Sequence, residues 1–181
     1  MYEKSGIVIL QLLLNRRFFC MKRNICFLLI NLIVFSSFTF GKIDKAEYYK
    51  ALSAGSEASV DQMIQKLESD NETSLNRAYK GTLLMKKAGF IKVASGKVKV
   101  FKKGAHLLED EIKKNPGNAE FRFLRLSVQE HAPGILKYSK NLNEDKAAMI
   151  EAYPKLDPTL KSVISTYAES SKIIKLSDLN K

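Results

Sequence analysis

The chain has 181 residues, 45% hydrophobic and 27% charged, which is the balance of one ordinary folded domain. Its formal net charge is +11, with two histidines, no tryptophan, and two cysteines, Cys20 and Cys26, both in an apolar N-terminal region. If that region is removed, disulfides, thiol catalysis and cysteine metal sites are excluded.

Residues 1–41 hold two apolar runs, Ile7–Leu14 and Ile25–Phe40, separated by Arg16, Arg17, Lys22 and Arg23. From Met21 the order is a basic start, an apolar core and a small, polar end at Gly41, the arrangement of a secretory signal. The expected signal peptide is 1–41, cleaved after Gly41, with Met21 as an alternative true start. Two rivals stay open. Ile25–Phe40 could remain as an anchor, though it is shorter than the ~20 residues of a membrane span. Arg16-Arg17 could belong to a twin-arginine signal. Neither cysteine has the flanks of a lipoprotein signal. The expected location is periplasmic or secreted.

The remainder, 42–181, reads as one helical domain. Lys45–Leu52 predicts a short helix ended by Ala54-Gly55. Ser59 to Gln62 offers a capping box, followed by an apolar face of Val60, Met63, Ile64 and Leu67. Ser69 to Glu72 offers a second, opening a helix through Leu75, Ala78, Tyr79, Thr82 and Met85 to Gly89. Residues 90–101 are ambiguous. Ile91–Val93 and Val98–Phe101 around Ser95-Gly96 could pair as a hairpin, but an isolated hairpin is marginal, so a loop and then a helix is preferred. That helix carries a stripe of Val98, Phe101, Ala105, Leu108 and Ile112, with Lys99, Lys102, Lys103, His106, Asp110 and Lys113 opposite.

Asn115 and Pro116 suit a helix start, and Pro116–Asn118 separates two helices. From Ala119 the chain becomes strongly apolar: Phe121, Phe123, Leu124, Leu126 and Val128, with Arg122, Arg125 and Gln129 as a narrow polar stripe. His131–Gly134 breaks this helix. Asn143 is expected to cap a helix to Tyr153, and Asp157-Pro158 to start another with Leu160, Val163, Ile164 and Tyr167 on one face. From Ser170 the tail is expected to be loosely held. The fold class is therefore all-α: antiparallel helical hairpins in a layered or solenoid-like single domain.

Tyr79–Gly89, then Phe101–Ala105 through Ile112 to Pro116 and Asn118–Glu120, together resemble a tetratricopeptide repeat. About ten extra residues lie between the two helices relative to the usual repeat of roughly 34. Glu111 stands where a small alanine is usual. A closer resemblance is to small, uncharacterised, exported helical proteins of Bacteroidota-type bacteria. It rests on Tyr79-Lys80-Gly81, Phe101 with Gly104, Asn118–Glu120, Arg122–Arg125, Gln129, Pro133, Tyr138 and Glu144–Lys146. That resemblance implies a leader and an all-helical fold, and no activity.

No nucleophile elbow, phosphate loop or zinc-protease motif is present in the sequence, so an enzyme is not expected and no cofactor is implied. His106 reads as a surface histidine, and His131 as a residue at a helix end, where a cation favours the dipole. Arg122 and Arg125 on a mostly buried helix must find partners, because an unpaired buried charge is costly. Glu109, Asp145 and Glu151 are the internal candidates; a carboxylate or phosphate from a partner is the alternative.

Five of the 30 basic residues and one of the 19 acidic ones lie in the leader, leaving 25 against 18, a net +7. Nine basic residues and no acid fall between Thr73 and Leu108: Arg77, Lys80, Lys86, Lys87, Lys92, Lys97, Lys99, Lys102 and Lys103. The rest of the processed chain is 16 basic against 18 acidic. The first functional expectation is a non-enzymatic domain that binds an unidentified protein or peptide. The alternative is a peripheral binder of an anionic membrane surface or polyanion through 73–108. Nucleic acid is not expected, because the lysines lack interleaved aromatics.

Overall fold

The structure, a computed structural model, describes residues 43–180. The expected signal peptide, 1–41, lies outside them. Among the described residues there are eight α-helices, two 3-10 turns and no strand. The helices are α1 (Lys45–Ser53), α2 (Glu57–Ser69), α3 (Ser74–Lys87), α4 (Ala94–Lys114), α5 (Ala119–His131), α6 (Leu142–Ala152), α7 (Pro158–Ser170) and α8 (Leu176–Leu179). The 3-10 turns are Gly134–Leu136 and Tyr153–Lys155.

Most helix starts are set by side chains that accept a free first-turn N–H. Asp44, Ser56, Thr73, Asn118 and Asp157 cap α1, α2, α3, α5 and α7 in this way. The two capping boxes expected at Ser59 and Ser69 are therefore displaced. Ser59 is already helical and gives its N–H to Ser56. Ser69 ends α2 rather than opening α3. Asn115 closes α4, and the start of α5 falls to Asn118. Asn143 is inside α6, whose first cap position is Asn141. Residues 90–93 form the connection expected there, and α4 begins at Ala94, so the hairpin alternative is excluded.

The main packing is α3 on α4 and α5 on α6, with α2 on the flank of α3 and α5 against α3. The faces of α2 and α5 are close to those the periodicity predicts: Val60, Met63, Ile64 and Leu67, then Phe121, Phe123, Leu124 and Leu126, are buried, while Val128 is half-buried against the core. Leu108 of α4 is fully buried beside them, but Val98 is 37% exposed and leaves the expected stripe. Aromatic rings fill the centre. Tyr48 and Tyr79 stack with centroids 3.5 Å apart, and Tyr49 meets Tyr79 and Phe123 at 6.1 Å.

α3 and α4 cross at two glycines. A Cβ on Gly81 would lie 2.7 Å from the Gly104 carbonyl oxygen and 2.9 Å from the Leu108 nitrogen. One on Gly104 would strike the Gly81 carbonyl oxygen and lie 2.8 Å from the Met85 nitrogen. No side chain fits between the two backbones. The chain after Ser170 is also held, contrary to expectation. Ile174 and Leu179 are buried, and Lys146 pairs with Asp178 at 2.8 Å. The carboxylate of Glu130 accepts the Tyr167 hydroxyl, the Ser171 hydroxyl (2.7 Å) and the Lys172 N–H (2.5 Å).

Candidate functional site

Two basic regions were legible in the sequence, and the fold treats them differently. The first is on α5. Arg125 is buried and grips Asp145 with two parallel bonds, Nε to Oδ2 and Nη2 to Oδ1, both 2.7 Å. Its Nη1 reaches Glu109 at 2.8 Å, whose other oxygen accepts the Tyr138 hydroxyl at 2.8 Å. Arg122 reaches Glu144 at 2.6 Å and Asp145 at 3.1 Å. Burial works against the Arg125 charge, but Asp145 and then Glu109 outweigh it and hold the guanidinium well above its usual range. Burial and then Glu109 push the Tyr138 hydroxyl up. Two of the three expected acids are the partners; the third, Glu151, is exposed and takes no part. The guanidinium fork of Arg125 is filled from within, so this stripe offers no recess for an outside anion.

The second region is the nine-residue basic set of 73–108, and it divides. On α3, Arg77 bonds to Glu111 at 2.8 Å and Glu72 at 2.6 Å. Lys80 pairs with Glu68 and Lys87 with Asp61, each at 2.7 Å. These three cations fasten α3 to its neighbours. Glu111, buried where a repeat of the resembled type has alanine, also accepts Lys114 at 2.9 Å. Burial pushes its carboxyl up, but hydrogen bonds from Lys114, Arg77 and Ser74 hold it below the usual range. Lys86 is half-buried, and that burial pulls its ammonium down.

The other five, Lys92, Lys97, Lys99, Lys102 and Lys103, occupy the 90–93 connection and the first ten residues of α4. None pairs with an acid among the described residues, and all but the half-buried Lys97 are exposed. Lys99 stands three and four residues from Lys102 and Lys103, so like charges are neighbours, each pair costing a few tenths of a kcal/mol. The first turn of α4 has no acid, and its cap position, Val93, makes no side-chain bond. Lysines there oppose the positive end of the helix dipole. The acids of α4, Glu109, Asp110 and Glu111, all stand in its second half.

Apolar side chains stand among these lysines. Val93 is 66% exposed, and Val98 shares the outer face with Lys102, one turn on. Phe101, one turn from Val98, packs edge-on against Tyr138 with centroids 5.3 Å apart. Ile135 in the Gly134–Leu136 turn is 90% exposed. Sequence periodicity missed these three. It assigned Val98 to the core, and Ile135 lies in a turn where no periodicity operates.

The remaining polar clusters close on themselves. Glu120 is buried and accepts Tyr79 (2.5 Å), Tyr49 (3.1 Å) and Lys45 (2.9 Å), and Lys45 continues to Asp157 at 2.7 Å. His106 faces Asp110 at 3.3 Å, and His131 Nδ1 lies 3.0 Å from the Ser127 carbonyl. Among the described residues no group of acids and histidines has the makings of a metal site, and no helix is long and apolar enough to cross a membrane. A shallow groove of about 530 Å³ runs between α1 and α2, lined by Lys50, Ala54, Gln62 and Met63 and bridged by the Lys66–Glu47 ion pair. No protein-family model, curated protein or solved structure matches the chain.

Proposed function

We propose that the protein is an exported, non-catalytic helical interaction domain that engages an anionic partner through the lysine end of α4. One observation carries the reading. Of the nine basic residues between 73 and 108, three are committed to acids of the fold, while five at the lysine end pair with none, four of them exposed. Unpaired like charges at an uncapped helix end cost stability, and local departures of this kind tend to mark functional surfaces. The glycine crossing of α3 and α4 supports the tetratricopeptide-like hairpin, since that close approach is what makes Gly81 and Gly104 necessary. The basic start at Met21 and the apolar core after it support export. A peptide held in the α1–α2 groove has less support, because the Lys66–Glu47 pair bridges that groove. Catalysis has less support again: each histidine already faces a group of its own helix.

Two measurements test the reading. N-terminal sequencing of protein from the producing cell should begin at Lys42; intact cytosolic protein starting at Met21 ends the export reading. The processed protein should bind anionic partners, polyphosphate or acidic vesicles, more weakly as salt rises. A variant with Lys97, Lys99, Lys102 and Lys103 changed to Glu should lose that binding while keeping its circular dichroism. Equal binding by variant and wild type, or no binding by the wild type, discards the reading.

A further inference from the structure

We infer that the lysine end of α4 is a docking surface for an anionic phospholipid bilayer, with Val93 and Val98 entering the interfacial layer. The inference rests on the interaction reading above and names its partner. A soluble polyanion would need only the cations. Scattered exposed apolar residues are ordinary, so their placement is what matters. Among the described residues the exposed large hydrophobics are Val93, Val98, Ile135 and Leu176, and the first two stand directly among the lysines.

The two components act at different ranges. The lysines feel a negative surface from about 8 Å in physiological salt, and each strengthens attachment by roughly five-fold close to it. The side chains of Val93 and Val98 gain only on contact, by removal of apolar area from water, about ten-fold each when fully buried. No helix need be inserted, and α4 keeps its core face on α3. Attachment of this kind is reversible.

The test uses the processed protein, residues 42–181, whose helices close a continuous core of their own. The sequence has no tryptophan, so Val98→Trp supplies a single reporter at an exposed position. With vesicles of mixed anionic and neutral phospholipid, its emission should shift to the blue and be quenched by brominated acyl chains. Vesicles of neutral lipid alone should leave it unchanged. Val93→Ser with Val98→Ser should weaken vesicle binding at least ten-fold while leaving polyphosphate binding within two-fold. Salt-sensitive vesicle binding with no blue shift, or equal loss of vesicle and polyphosphate binding in the serine variant, overturns the bilayer inference. Polyphosphate binding without vesicle binding also overturns it and leaves the interaction reading standing. Binding of neither removes both.

Discussion

The arginine stripe of α5 and the lysine end of α4 look alike as strings of letters. Each puts cations three or four residues apart on a helix that also carries a core face. In the fold they are opposites. Arg125 is enclosed, and its planar fork matches the Asp145 carboxylate with two bonds, a geometry an ammonium cannot reproduce. Glu109 reaches it from α4, and Asp145 from α6. The lysines in the first half of α4 pair with no acid among the described residues, and all but the half-buried Lys97 are exposed. A count of charges therefore says little about what they do; the positions of the counter-charges decide.

The largest expected effect comes from breaking the buried side of this contrast. Asp145→Ala should cost about 3–5 kcal/mol, because it leaves Arg125 enclosed with only Glu109. Urea unfolding measures it, and a loss under about 1 kcal/mol would show that the stripe is not structural. A smaller effect is expected within α4 itself, between its acidic and lysine halves. The carboxyl of Glu111 is held below its usual range in the folded chain. Such a group adds stability that is present above the unfolded value, near 4.5, and is lost as pH falls through the folded one. Stability should fall as pH drops below about 4.5, and Glu111→Gln should flatten part of that decline. Parallel pH curves for variant and wild type would count against it. The smallest effect has the opposite sign. Lys97→Glu places an acid near the positive end of the α4 dipole and should gain about 0.3–0.5 kcal/mol while weakening anion binding. A measurable loss of stability would mean that Lys97 already has a structural duty.

The helical class, the faces of α2 and α5 and the need of Arg122 and Arg125 for internal acids could be read from the sequence, because amphipathic periodicity and the cost of a lone buried charge are strong signals. Which acids serve could not, since Glu151 takes no part and Glu144 was not expected. Helix starts could not. The stretches Ser53–Ser59 and Ser69–Ser74 each offer several serines, threonines or acids as caps, and only packing selects Ser56 and Thr73. Nor could the division of the basic set. Arg77 meets Glu111 across 34 residues of sequence, a pairing that exists only once α3 lies on α4. The end of the chain misled for a related reason. Its few apolar residues looked too sparse to dock, but Glu130 accepts three hydrogen bonds that hold Tyr167, Ser171 and Lys172 in place.

The 21 residues of α4 make a rod about 31 Å long, braced near its middle where Gly104 meets Gly81. Positive charge is concentrated near one tip, while the acids near the other are neutralised by Arg77, Lys114, Arg125 and Lys113. Beside any negatively charged plane such a rod experiences a torque as well as a pull. It turns lysine tip first, and residues 43–180, packed with it around one core, turn with it. The Asn115–Asn118 junction, at the far end of the same rod, is then carried about 30 Å outward, so arrival at the plane also fixes which part of the molecule is presented to whatever lies beyond.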